Sequence, residues 1–228
     1  MLDDLTIIRE AFPRMVRLVS SAWLRESVLL GLVGAEDLGD LAEIEGATST
    51  RLQAQNRGAG DVKPFDLVYS VSHATFINAS FAYAKPREPS RFNGPDRGAW
   101  YASLEVDTSL AEVKFHMTNF LSKTGVYEAT VDYTEMFASF AGEFVDLRLH
   151  PDHQCLHPDE AIGYPTGNAV ADAARARGLN GIVYPSVRHT GGTCLVALSP
   201  HAVQSVAQGA VYRLTWSGTP EPTIEKMV

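Results

Sequence analysis

Within residues 90–121 of this 228-residue chain, three side chains are spaced to do chemistry together. Arg91 leads into the turn Asn93-Gly94-Pro95, Tyr101 lies in the short aromatic run Trp100-Tyr101-Ala102, and Glu112 stands in the first turn of the helix expected next. A guanidinium is a planar fork that grips phosphate oxygens two at a time. A phenol stacks on a flat ring or donates its hydroxyl. A carboxylate stabilises a carbon that becomes cationic. A loop, a strand end and a helix start thus point one cation, one aromatic and one anion toward a shared pocket. Further along, Ser186 sits in Tyr184-Pro185-Ser186-Val187-Arg188, at a strand end.

Each of these residues has a plainer reading. Ser109-x-x-Glu112 fits a helix capping box, which would spend the carboxylate on backbone N–H groups. Arg91, like Arg17, reads equally as a solvated arginine, and Tyr101 as a half-buried strand aromatic. No histidine stands at a spacing that announces a triad, so Ser186 reads as a hydrogen-bonding serine rather than a nucleophile. Arg188 and His189 read as supporting or surface residues. His150, Asp152, His153, Cys155 and His157 raise the possibility of a metal-dependent hydrolase, but their spacing matches no zinc signature, and nearby prolines and acids suit a solvated loop. Glycine-rich dinucleotide and P-loop fingerprints, G-x-S-x-G and H-E-x-x-H are all absent, which weighs against Rossmann dehydrogenases, P-loop NTPases and α/β-hydrolases.

The elements that must position these groups follow from periodicity. Residues 1–60 read as mostly helical. Leu5, Ile8, Phe12 and Met15 or Val16 recur at helical spacing up to a break near Pro13, residues 17–21 form a short strand, helices fall at 23–32 and 38–44, and a polar loop covers 46–60. Strands are expected at 66–71, 99–103, 127–133 and 145–149, with residues 76–83 ambiguous. Leu110, Val113, Met117 and Leu121 form an amphipathic helical stripe. Residues 150–166 read as a proline-containing loop, 169–177 as an alanine-rich helix stopped at Gly178. Residues 181–187 and 194–198 read as a hairpin, 211–216 as a last strand, and the chain after Gly218 as a frayed tail. The class is α+β, a compact mixed or antiparallel β core with flanking helices. It is read as one domain over 1–228, with the N-terminal part to 60, a β-rich core at 61–218 and the tail at 219–228.

Composition narrows the partners. A hydrophobic content of 45% supports a sizeable core, and a formal charge of −8 disfavours direct nucleic-acid binding while leaving room for a small anion held by local arginines. Two cysteines, no basic-then-apolar leader and no long apolar run point to a cytoplasmic protein with no membrane association.

Together these pieces resemble the RES-domain family, named for an arginine, a glutamate and a serine. The serine segment, from Gly181-Ile182-Val183-Tyr184-Pro185-Ser186 to Gly191-Gly192-Thr193-Cys194, is the most specific match. Ser90-Arg91-Phe92-Asn93 leading to Leu110-Ala111-Glu112-Val113 comes next, and Arg17-Leu18-Val19-Ser20 resembles the first arginine segment, with Val16 where the family often has tyrosine. The resemblance implies an ADP-ribosyltransferase-like fold and the toxin of a two-gene toxin–antitoxin module. It implies consumption of NAD⁺ as substrate by hydrolysis, phosphorolysis or ADP-ribosyl transfer to a protein acceptor, with no metal. The implied partner is an Xre/ParS-like antitoxin that plugs the cleft. The carried-over site is Glu112, Arg91, Tyr101 and Ser186 as catalytic residues, with Arg17, Arg91, Tyr101 and Ser186 binding the dinucleotide. The alternative is the same fold holding a nucleotide or partner without turnover.

The residue types suit that chemistry. Breaking the nicotinamide–ribose bond develops an oxocarbenium-like cation, and the protein mainly has to position and stabilise charge. A carboxylate ~4 Å away at an effective dielectric near 20 contributes about 4 kcal/mol before desolvation, roughly a thousandfold in rate. Glu112 is the expected carboxylate, the arginines would neutralise the pyrophosphate, Tyr101 would serve the nicotinamide-ribose end, and Ser186 would bond the ribose or amide.

Overall fold

The structure, a computed structural model, describes residues 2, 4–21, 62–82 and 89–227. The helices expected at 23–32 and 38–44, the polar loop at 46–60 and Tyr83 lie outside the described residues. Among these residues seven strands form one mixed sheet: β1 (Thr6–Ser20), β2 (Trp100–Ser103), β3 (Glu128–Asp146), β4 (Gly181–Pro185), β5 (Thr193–Ala197), β6 (Gln204–Ser217) and β7 (Thr223–Met227). Among the described residues three α-helices accompany them: α1 (Ala74–Ala82), α2 (Val106–Ser122) and α3 (Glu160–Ala176).

The sheet order is β1-β2-β5-β4-β3-β6-β7, and β1 also pairs with β3, so the first five strands return on themselves. β3 is the shared edge of this arrangement. β1 runs along it from Tyr133 to Asp146. On its other side β6 covers 128–139, and β4 joins in parallel at Phe144, Val145 and Asp146. A parallel partner needs a crossover, and α3 supplies it. The hairpin expected from residues 181–198 is present, with Tyr184 opposite Cys194. The mixed sheet with helices is the α+β class read from the sequence.

Four local expectations are corrected. Residues 6–16 are strand, not helix, and run on into the short strand expected from residue 17, so that β1 spans Thr6–Ser20. Pro13 and Arg14 fall in a register shift between Phe12 and Met15, as suits a residue with no N–H to donate. The bulge resets the two-residue alternation, so Phe12 and Met15 join the same core as Ile8, and their spacing of three imitates a helix. Residues 66–71 make no ladder. The Asn78 side-chain amide accepts from Val68 N–H and donates to Val68 C=O, and so takes the place of a neighbouring strand. The alanine-rich helix starts at Glu160, not 169, with Asp159 as its N-cap and Pro165 inside it. The tail is β7, an exposed edge strand that pairs with Val211–Thr215 through backbone bonds and carries Glu225 and Lys226.

Two packing contacts matter for the site. α2 lays Leu110 and Leu121 on Leu214 and Trp216 of β6, and each fully buried side chain of this size contributes about 1.5–3 kcal/mol. α3 lays Val170, Ala171 and Ala174 on Ile182 and Val196 of the hairpin. The small residues on that face let the helix axis come close to what lies beneath. No helix among the described residues is long and apolar enough to cross a membrane.

Candidate functional site

The role open to Glu112 depends on where α2 begins. The helix starts at Val106 with Glu105 as its N-cap, so Glu112 stands in the second turn, not the first. Ser109 is an interior residue whose Oγ donates to the Val16 carbonyl at 2.9 Å and lies 2.6 Å from Ser103 Oγ. The capping box does not form; Ser109 ties α2 to β1 and β2 instead. The Glu112 carboxylate is thereby released, and its Oε1 accepts a 3.0 Å hydrogen bond from Ser186 Oγ.

The loop between β4 and β5 is shaped around Ser186. Its Oγ accepts from the backbone N–H groups of Arg188 (3.2 Å) and His189 (3.1 Å). Two donors aimed at one oxygen leave the hydroxyl proton to point outward, and Glu112 receives it. His189 Nδ1 bonds Thr108 Oγ1 at 2.8 Å, which fastens this loop to the start of α2. Gly192 is required there, since a Cβ would collide with Thr108 Oγ1.

Arg91 is not a solvated loop residue: it is 8% exposed. Its Nη1 donates to the carbonyls of Cys155 (2.6 Å) and His157 (2.9 Å), and its guanidinium carbon lies 5.4 Å from the Tyr164 ring centroid. The His- and Cys-containing stretch thus contributes backbone carbonyls to an arginine. Its side chains bond locally, His153 Nδ1 with Cys155 Sγ at 2.9 Å. Among the described residues no group of three or more His, Cys, Asp or Glu is placed to hold a metal ion. α3 passes directly over Arg91. A Cβ on Gly163 would come 2.7 Å from Nη1, and one on Gly167 would overlap the Arg91 carbonyl. Asn168 Nδ2 donates to the carbonyls of Ser90 (2.7 Å) and Arg91 (3.3 Å).

Arg17, Arg91, Tyr101 and Glu112 line one cleft of about 230 Å³, and Ser186 reaches it through Glu112. Arg17 comes from β1, with its guanidinium carbon 4.7 Å from the Trp100 ring centroid. Tyr101 keeps its ring at the cleft, but its hydroxyl accepts from Phe92 N–H at 3.0 Å and donates to Asn93 at 2.8 Å. It braces the Arg91 loop, and burial pushes its phenol well above the ordinary value. The structure therefore brings all five residues of the sequence reading to one place.

The sequence reading missed other lining residues: Arg188, His116, Tyr164 and Cys194. Two had a signal. Arg188 lies two residues beyond Ser186, and Tyr164 lies within Gly163-x-x-x-Gly167, which sets two bare positions one above the other on a helix. Burial pushes the Cys194 thiol up to about 12 and raises the Tyr164 phenol, so neither adds negative charge to the cleft near neutral pH.

The chain is 26% identical over 223 residues to an uncharacterized protein, y4oC, of Sinorhizobium fredii, spanning 96% of this chain and 87% of that protein. It is also similar to a chain in the crystal structure of the M. tuberculosis MbcT–MbcA toxin–antitoxin complex, at 14% identity and a TM-score of 0.45, covering 89% of this chain and 86% of that one. Residues 67–217, more than half of the chain, match the RES domain; Arg91, Tyr101, Glu112 and Ser186 fall inside that span and Arg17 outside it. The chain belongs to the RES domain family.

Proposed function

We propose that this chain is a RES-type toxin that cleaves the nicotinamide–ribose bond of NAD⁺, acts as one domain, and is neutralised by a cognate antitoxin. The observation that carries the reading is the hydrogen bond from Ser186 Oγ to Glu112 Oε1 at 3.0 Å, in a cleft whose other charged groups include Arg17 and Arg91. A carboxylate held by a neutral donor keeps its direction. In the proposed step the C–N glycosidic bond breaks, its electron pair neutralises the nicotinamide ring, and the sugar carbon becomes cationic. Glu112 stabilises that cation, and water, phosphate or a protein side chain captures it and loses a proton. Arg91 and Arg17 neutralise the pyrophosphate, and the Tyr101 ring supplies an apolar wall. Ser186 acts through Glu112 in this reading, since its one proton is already given to that carboxylate.

The partner follows from the same charges. A cleft with more arginines than carboxylates suits an acidic segment of an Xre/ParS-like antitoxin that occupies it in place of the dinucleotide. The experiment is to incubate the folded protein with NAD⁺, with and without phosphate or a protein acceptor, and follow free nicotinamide. Release is expected, and the co-product names the acceptor. No release from folded, inhibitor-free protein would leave the non-catalytic binding module as the better account.

A further inference from the structure

Arg188 is the charged group of the cleft that the proposed chemistry leaves unused. It leaves the β4–β5 loop two residues after Ser186, and its side chain is only 12% exposed. Its guanidinium carbon lies 3.5 Å from the centroid of the Phe115 ring on α2. One nitrogen, Nη2, donates to the Pro158 carbonyl at 3.0 Å. These two contacts fix the plane of the guanidinium before any ligand arrives, and a stacked, tethered arginine loses little freedom on binding. Its partner carboxylate is weak: Glu160 Oε1 is 3.9 Å away on a side chain 44% exposed, where water screens it. Nε and Nη1 of Arg188 make no hydrogen bond among the described residues and stay available to a ligand.

The charge balance of the cleft indicates what that ligand is. Among the described lining residues, Arg17, Arg91 and Arg188 bring three guanidinium groups, and Glu112 brings one carboxylate. These guanidinium groups gather in one cleft of a chain whose formal charge is −8. Concentrating like charge in a half-buried cleft is unfavourable unless an anion completes it. Burial, and then the like charge of Arg91, disfavour the charged form of Arg188, and both side chains line the same cleft. A dinucleotide's pyrophosphate carries two negative charges on adjacent phosphates and so presents oxygens to the Arg91 and Arg188 guanidiniums together.

We infer that Arg188 is a ligand-binding residue that, with Arg91, grips the pyrophosphate of the dinucleotide, and so selects dinucleotides over nicotinamide nucleosides at this site. This inference rests on the proposed NAD⁺ reading. The same fork also fits free phosphate, and the test separates the two. Wild type, Arg188→Met and Arg188→Lys are each titrated with ADP-ribose and with inorganic phosphate, and nicotinamide release is followed from NAD⁺ and from nicotinamide riboside. Methionine keeps an apolar stem against Phe115, and lysine also keeps the charge.

Losing a charge-assisted pair should weaken ADP-ribose binding roughly 10- to 100-fold in the methionine variant, and several-fold in the lysine variant. The loss of rate on nicotinamide riboside, which has no pyrophosphate, should be smaller than the loss on NAD⁺, and an equal loss on both would overturn the inference. Unaltered ADP-ribose affinity in either folded variant would overturn the inference and make Arg188 a clamp between the hairpin and α2. Loss of phosphate binding alone would overturn it in favour of an acceptor-anion site. A wild-type protein that binds neither NAD⁺ nor ADP-ribose would sink the underlying functional reading, a result distinct from the other two.

Discussion

Arg91 and Glu112 face one cleft but are held by different kinds of contact. Arg91 is held by the main chain: two carbonyls take its Nη1, and α3 passes so close that Gly163 and Gly167 have no room for a Cβ. Glu112 is held by a side chain, the hydroxyl of Ser186, which two backbone N–H groups orient in turn. Carbonyls and glycines carry no side-chain signature, whereas a serine and a glutamate do. The difference also sets what each side tolerates. Disturbing the Arg91 seat disturbs the fold, and disturbing the Ser186 bond disturbs mainly the direction of one carboxylate.

The sharpest way to test the contrast is Glu112→Gln. The amide still accepts from Ser186, so the protein should melt within a degree or two of wild type. Nicotinamide release should fall about a thousandfold, since ~4 kcal/mol of charge stabilisation is removed. A lower melting temperature with activity retained would return Glu112 to a structural role. Arg91→Ala should do both kinds of damage. It removes a cation from the cleft and leaves the Cys155 and His157 carbonyls without their donor. NAD⁺ affinity should fall roughly 10- to 100-fold, and denaturant titration should show a loss of about 1–3 kcal/mol. Unchanged affinity in a direct titration would remove Arg91 from the binding site.

Gly167→Ala probes the same seat without touching a charge. Its new Cβ meets the Arg91 backbone, so α3 has to shift, and a loss of about 1–3 kcal/mol is expected on denaturation. Wild-type stability would mean that the helix yields there. Ser186→Ala is the counterpart on the Glu112 side. Roughly tenfold in kcat with little change in KM is expected, because a neutral hydrogen bond to a carboxylate is lost and the ligand contacts are not. A change confined to KM would place Ser186 on the substrate instead.

The smallest effect is a matter of pH. Cys155 lies beneath the Arg91 seat and Cys194 at the cleft, and burial pushes both thiols from 9.0 up to about 12. Below pH 9 both folded and unfolded chains keep these protons, so the thiols give stability no pH dependence. Between pH 9 and about 12 the unfolded chain releases them first, so stability should fall as pH rises through that window. At pH 8 neither thiol should react with an alkylating reagent until denaturant is added. Rapid labelling of native protein would show that one of these regions opens readily.

Much of the candidate site was legible in the sequence, and much of the first strand was not. The hairpin, the α2 stripe and the identities of Arg17, Arg91, Tyr101, Glu112 and Ser186 could all be read from residue types, local spacing and the family resemblance they carry. β1 was misread because a bulge at Pro13 and Arg14 shifts the alternation by one residue. β7 was missed because an exposed edge strand is made by backbone bonds alone.

Residue types alone limited the chemistry open to the candidate site: the Glu112 carboxylate, the guanidiniums of Arg17 and Arg91, the Tyr101 phenol and the Ser186 hydroxyl, with no familiar metal or nucleotide fingerprint. Those follow from side-chain type, which no fold can change. It took folding in three dimensions to settle that Ser109 bonds Val16 rather than capping with Glu112, that Tyr101 spends its hydroxyl on its own loop, and that Arg188 turns into the cleft. Each of those outcomes is a choice among partners that local spacing does not rank, and distance along a sequence carries no information about which partner comes within hydrogen-bonding reach.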